Sequence, residues 1–174
     1  MKKIFLIIIF VFALFLVAIK YNSQMKKIEV GDKVPTFTLI DQNGNSVTVN
    51  ETQGKAMVIY FYPKDDTPGC TKQACQFRDQ YESFLKFEAL VIGISSDNVE
   101  SHKNFAEEYN LPFTLLADTH KEVRKLFGVP KSLLLLPGRV TYIIDRNGVV
   151  QYIFNSQFGI EKHIEMALQK LEKI

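Results

Sequence analysis

Two cysteines among 174 residues are too few for a disulfide scaffold or a four-thiolate zinc site. Four residues separate them, so the C-x-x-C word that a simple thiol–disulfide exchanger needs is missing. The histidines, His102, His120 and His163, are scattered without an i,i+4 partner. Each is expected at the surface or at a helix end, not as a metal ligand. No basic run exceeds two adjacent residues and the net charge is only +2, which argues against a nucleic-acid surface. Internal repeats and low-complexity linkers are also absent, so one domain is expected beyond any targeting segment. The roughly 150 residues from Met25 onward suffice to bury a full core.

What the chain has in excess is hydrophobicity at its amino end. Met1-Lys2-Lys3 precedes sixteen uninterrupted apolar residues, Ile4 to Ile19, and Lys20 closes the block. A positive start followed by an apolar block describes an export signal or a membrane anchor. As a helix the block would span about 24 Å. It lacks an A-x-A cleavage word and has no cysteine for lipid attachment. The expectation is an uncleaved signal anchor over residues 1–24, entering the membrane through residues 4–19 with its basic end in the cytoplasm. The domain, residues 25–174, would then lie on the extracytoplasmic side. Two alternatives stay open. Cleavage would release an exported soluble protein, and translation from Met25 would leave the domain cytoplasmic.

Thr36 to Ile40 and Ser46 to Val49 read as strands around the turn word Asn43-Gly44, an edge hairpin. Ala56 to Tyr62 is a continuous apolar strand of the kind buried on both faces of a parallel sheet. Ala74, Phe77, Tyr81, Phe84 and Leu85 recur at helical spacing, which predicts a helix from near Cys70 packed on that sheet. Ala89 to Ser95 is another strand, and Asp97-Asn98-Val99-Glu100 resembles a capping box that opens a helix to about Asn110. Pro112 breaks that helix, Phe113 to Ala117 is a strand, and Asp118 can cap a short helix ending at Gly128. Arg139 to Ile144 and Val149 to Phe154 flank the turn Asp145-Arg146-Asn147-Gly148, with a final helix over Ile160 to Ile174. Alternating strands and helices that close on an antiparallel pair predict an α/β sandwich.

The chemistry is concentrated between Phe61 and Cys75. Thr67 followed by Pro68 is a helix start, with Thr as N-cap and Pro at the first helical position. Cys70 therefore sits in the first turn, just beyond the carboxyl end of a central strand, where sites form in open α/β sheets. Unpartnered backbone N–H groups and the positive end of the helix favour a thiolate there, which makes Cys70 a candidate nucleophile. The alternative is a buried structural cysteine. Five residues along a helix separate two Cα atoms by about 8.7 Å, beyond the ~7 Å that a disulfide tolerates. If Cys70 and Cys75 join, the first turn or two must unwind.

These residues carry a resemblance. The words are Pro63-x-x-x-Thr67-x-x-Cys70, the C-x4-C pair, Phe77-Arg78-Asp79, and Leu136-Pro137-Gly138-Arg139-x-Thr141-Tyr142. Asn155-x-Gln157-Phe158 and Glu161-Lys162-His163-Ile164 complete the set. From about Ile28 to its end the chain resembles the peroxiredoxin family, in the bacterioferritin-comigratory or peroxiredoxin Q branch. The resemblance implies a thioredoxin-like sandwich, a central mixed sheet flanked by helices with an N-terminal β-hairpin. It implies a thiol-dependent peroxidase acting on hydrogen peroxide and organic hydroperoxides, recycled by thioredoxin or another dithiol reductant. Cys70 would attack the peroxide, and Cys75 would condense with the oxidised sulfur. Thr67 would hydrogen-bond the thiolate and the peroxide oxygen, Arg139 would be directed at the sulfur, and Pro63 would shield the pocket. No metal, haem or flavin is required, and the branch implies a monomer.

Other readings stand beside these. Thr67 can serve as a plain N-cap, Arg139 as a surface residue at a strand end, and Pro63 as a strand stop. Asp65 and Asp66 read as solvated loop acids without a chemical role. Gln73 occupies a position where much of the branch carries Glu, which removes a charge near the site. Leu133 to Leu136 form either core contacts or an apolar wall beside the cysteine that would favour alkyl or lipid hydroperoxides. The competing class is a membrane-tethered thioredoxin-like copper carrier, which also holds two cysteines near a helix start. Three residues separate its cysteines where four stand here, and neither the Thr-Pro-Gly word nor the later Arg has a place in it.

Overall fold

The apolar run that the sequence singles out forms a strand buried at every position. The computed structural model describes residues 27–50, 54–132 and 136–174. In chain order the elements are β1 (Phe37–Asp41), β2 (Ser46–Val49), β3 (Ala56–Phe61), α1 (Pro68–Asp79), α2 (Tyr81–Lys86), β4 (Ala89–Ser95) and α3 (Val99–Glu108). They continue with β5 (Thr114–Ala117), α4 (Glu122–Leu126), β6 (Lys131–Ser132), β7 (Leu136–Pro137), β8 (Val140–Ile144), β9 (Val150–Asn155) and α5 (Ile160–Leu171). Seven strands make one mixed sheet in the order β2-β1-β5-β4-β3-β8-β9, and β6 with β7 form a separate small ribbon. β3 pairs in parallel with β4 and antiparallel with β8, so it lies inside the sheet with both edges occupied.

Alternation along β3 builds two cores. Ala56, Val58 and Tyr60, with Tyr62 just beyond, share one core with Cys70, Ala74 and Phe77 of α1, Phe105 of α3, and Ile164 and Ala167 of α5. Met57, Ile59 and Phe61 face the other way, against Phe37, Val123, Phe127, Tyr142 and Val150. Side chains of period two on a strand with helices on both sides require this split. The expected α/β sandwich with its edge hairpin is what forms, and Asn98 caps α3 by accepting from Ser101 N at 2.8 Å.

Two expectations change in detail. The helix carrying the cysteines does not run on to Leu85: Gln80, at φ −100° and ψ 8°, breaks it between α1 and α2. The break reorients the second segment so that Phe84 is buried and Leu85 is 47% exposed. The final helix stops at Leu171, three residues short of the chain end. The anticipated anchor, residues 1–24 with its apolar block at 4–19, lies outside the described residues, as do residues 133–135 of the leucine run. Among the described residues no helix is long and apolar enough to cross a membrane. Leu136, the describable member of that run, is 47% exposed and is no core residue.

Gly138 shows how closely the strand feeding the site is packed. A Cβ built there would lie 2.1 Å from the carbonyl oxygen of Pro130, a backbone atom that cannot step aside. Gly138→Ala is expected to lower stability by about 1–3 kcal/mol or more through this overpacking. The measurement is a lower urea midpoint with an unchanged m-value; an unchanged midpoint would mean that the backbone yields there.

Candidate active site

Cys70 is the third residue of α1, whose N-cap is Thr67 in an extended conformation and whose first residue is Pro68. Pro cannot donate a backbone hydrogen bond and presets φ, so it starts the helix without loss. The first α-helical bond runs from Thr71 N to Thr67 O at 2.9 Å. This puts the sulfur at the positive end of the helix, 2% exposed, beneath the carboxyl end of β3.

Arg139, immediately before β8, reaches the same point from the sheet. It is 3% exposed, and its Nη2 donates to Cys70 Sγ at 3.3 Å. Nη1 donates to Gln73 Oε1, and Nε donates to the Gln157 carbonyl at 3.3 Å. The reading of Arg139 as a surface residue is therefore set aside: the guanidinium is buried and aimed at the sulfur. Gly69 leaves room for it, since a Cβ at that position would sit 3.3 Å from Arg139 Nη2. Gln73, fully buried, fixes the arginine through an amide oxygen and so does not neutralise it. Its own Nε2 is a buried donor without a partner among the described residues.

The other expected site residues fall around this pair. Thr67 stands at the N-cap, but its hydroxyl does not cap the helix. It donates to Lys64 O at 3.0 Å, closing the loop behind it, and accepts no cap bond from the helix. Pro63 is half-buried at the start of that loop. Cys75 is half-buried about one and a half turns beyond Cys70 on α1, and both thiols are free. The helix is continuous across them. Arg124 braces the arrangement from below: Nη2 donates to Tyr62 O at 2.7 Å and Nη1 to Gly138 O at 2.9 Å. It thereby joins the residues that precede Pro63 and Arg139, and burial pushes its pKa down.

Three polar residues are buried where the sequence reading puts them in solvent. Asp65 is 3% exposed and accepts from His102 Nδ1 at 2.8 Å, with His102 itself fully buried. Burial alone would raise the Asp65 pKa, but the hydrogen bond and charge of His102, with bonds from Tyr62 and Ser101, hold it below the ordinary value of 3.8. His163 is fully buried as well. Its Nε2 donates to Ser156 O at 2.9 Å and its Nδ1 accepts from Thr141 Oγ1 at 2.8 Å, which fixes the neutral tautomer. His163 thus ties α5 to the segment whose Gln157 carbonyl orients Arg139. The Asp65–His102 and Thr141–His163 pairs could not be read from spacing, because their partners lie 37 and 22 positions apart. Among the described residues no three metal-ligating side chains gather.

The family model described as AhpC/TSA matches residues 30–153. A chloroplastic peroxiredoxin Q of Sedum lineare is 54% identical over 157 residues, covering 90% of this chain and 84% of that protein. Peroxidoxin BcpB from Mycobacterium tuberculosis superposes with a TM-score of 0.78 at 37% identity, covering 84% of this chain and 98% of that one. The bacterioferritin comigratory protein of Xanthomonas campestris, whose structures concern alkyl peroxide reduction, gives a TM-score of 0.73 at 29% identity over 79% of this chain and 90% of that one. The sandwich is a thioredoxin-like α/β fold.

The histidine behind the site has a measurable consequence. Burial, with the charge of Arg139, pushes the pKa of His163 from 6.5 down to about 4, against the opposing pull of the Ser156 carbonyl. The unfolded chain therefore takes up a proton near pH 6.5 that the native state refuses until about pH 4. The native advantage is complete above pH 6.5 and is lost as pH falls across that window, by roughly 3 kcal/mol in total. Urea midpoints for the wild type should fall between pH 7 and 4.5, and His163→Gln should flatten the slope. Parallel slopes would show that His163 is not the titrating group.

Proposed function

The chain belongs to the AhpC/TSA family, and we propose that it is a thiol-dependent peroxidase of the peroxiredoxin Q kind whose reacting sulfur is Cys70. The observation that supports this assignment is the Arg139 guanidinium at 3.3 Å from a buried sulfur in the first turn of a helix. A fixed cation and helix-end N–H groups stabilise an anionic sulfur and the charge that develops as the O–O bond breaks. The sulfur attacks the terminal peroxide oxygen, the O–O bond breaks, and water or an alcohol leaves with a proton. Cys70 is left as a sulfenic acid. Cys75 then displaces the sulfenic oxygen as water, and the Cys70–Cys75 disulfide forms. A dithiol donor, thioredoxin or one like it, returns two electrons and two protons. A copper-carrier function does not fit membership of this family.

Finer assignments follow. Thr67, whose hydroxyl is not spent on capping the helix, orients the peroxide beside the first turn. Pro63 shields the approach to the sulfur. Cys70→Ser should abolish turnover. Cys75→Ser should reduce one equivalent of peroxide and then stall unless an outside thiol is supplied. Arg139→Gln should slow oxidation of Cys70 by about 10²–10³-fold, the effect of losing one preorganised charge-stabilising donor. Stopped reactions resolved by mass spectrometry measure all three; full peroxidase turnover in Cys70→Ser would overturn the assignment.

Residues 4–19 would tether the domain, residues 25–174, to a membrane as a monomer on the extracytoplasmic side. The support is the uninterrupted apolar block behind a doubly basic start. A tethered domain needs an electron donor on its own side. Protease added to intact cells should cut the domain only after the outer barrier is opened, and the protein should sediment with membranes. Recovery in the soluble cytosolic fraction, abolished by Met25→Ala, would replace the tether with an internal start.

A further inference from the structure

A buried ion pair sits in front of α1 and takes no part in the steps above. His102 Nδ1 donates to Asp65 Oδ2 at 2.8 Å, and Nε2 donates to Leu116 O at 3.2 Å. Both ring nitrogens thus face acceptors, the carboxylate on one side and a backbone carbonyl on the other. Tyr62 Oη donates to Asp65 Oδ1 and Ser101 Oγ to Oδ2, each at 2.7 Å. Asp65 N donates to Asp97 Oδ2 at 2.9 Å, and that carboxylate is fixed in turn by Ser95 Oγ at 2.6 Å. One loop residue is thus tied to β4, α3 and β5. The next residue, Asp66, is left-handed at φ 54°. A non-glycine residue keeps that conformation when its surroundings hold it.

The far end of α1 is also tied to α3: Arg78 Nη1 donates to Tyr109 O at 2.8 Å, at the C-cap of α3. Both cysteines lie between the two ties, in the stretch that must unwind for them to meet.

We propose that Asp65 and His102 are positioning residues for disulfide formation: their ion pair holds the loop before α1 and sets how readily the first turns unwind. The proposal rests on the peroxidase assignment. In the wound state α1 itself helps to order the loop. In the unwound state the ion pair is the restraint that keeps the loop from joining the free segment. Removing it lengthens that segment and raises its entropy, which favours the unwound state.

The test is the partition of oxidised Cys70 at high peroxide between disulfide with Cys75 and sulfinic acid, read by mass after rapid quenching and thiol alkylation. Asp65→Ala/His102→Leu removes both charges and refills the space with apolar groups, which a buried ion pair tolerates far better than loss of one partner. The ratio of disulfide to sulfinic acid should rise roughly three-fold to ten-fold. Ile144→Ala lowers global stability from the opposite face of the sheet and should leave the ratio unchanged. Ser101→Ala, which removes a single bond to Asp65, should shift it in the same direction by less, and serves if the double variant does not fold. An unmoved ratio, or an equal shift in Ile144→Ala, overturns the clamp while leaving the peroxidase intact. A wild type that forms neither product overturns both.

Discussion

The site depends on keeping one guanidinium charged, buried and unneutralised beside one sulfur. Burying a charge without a counter-ion is costly, so what surrounds Arg139 decides whether the arrangement stands. Its neighbours are dipoles: the Gln73 amide oxygen, the Gln157 carbonyl and the thiol itself. An acid in place of Gln73 would share the charge and weaken its pull on the sulfur. His163, close enough for the arginine to affect its titration, stays neutral. Among the described residues no carboxylate bonds to Arg139, and a developing negative charge on sulfur or peroxide oxygen is its natural counter-ion.

In the proposed cycle the same helix start serves two incompatible states. As a wound turn it buries Cys70 and aims N–H groups at it; as an unwound segment it must let Cys75 come within bonding distance. The C-x4-C spacing makes these states exclusive, because an intact helix holds the two Cα atoms about 8.7 Å apart. Two reduced thiols join only when an oxidant takes two electrons, so the separation leaves Cys70 to meet the peroxide alone. It also makes the helix start a required moving part once the sulfur is oxidised.

Much of this was legible in the sequence because it is local. The strand Ala56–Phe61, the Thr-Pro helix start, the turn before β9 and the cysteine spacing are short-range patterns, and each forms where the pattern puts it. Arg139 became legible only through the resemblance, since a lone arginine at a strand end carries no signal of its own. Asp65, His102 and His163 were misread for a common reason. Polar type argues for solvent, and the partners that overturn it are supplied by other elements: α3 for Asp65, Thr141 and Ser156 for His163. Thr67 was placed correctly at the N-cap yet its hydroxyl turns to Lys64 O, a choice between neighbouring acceptors that composition does not encode.

Where the large side chains fall along α1 explains how the helix can open without loosening the domain. Before and between the cysteines, the buried residues are Cys70, Gln73 and Ala74, which together present little apolar surface. The first large anchor, Phe77, follows Cys75. It is fully buried, stacked on Tyr60 at 4.5 Å between ring centroids, and packed near Phe84. Since the hydrophobic penalty scales with apolar area exposed, at about 25 cal/mol per Å², unwinding as far as Cys75 is cheap and unwinding through Phe77 is not. If Cys70 and Cys75 join as proposed, this packing lets the helix open from its amino end and stop just after its second sulfur, with Phe77 still anchored on the sheet.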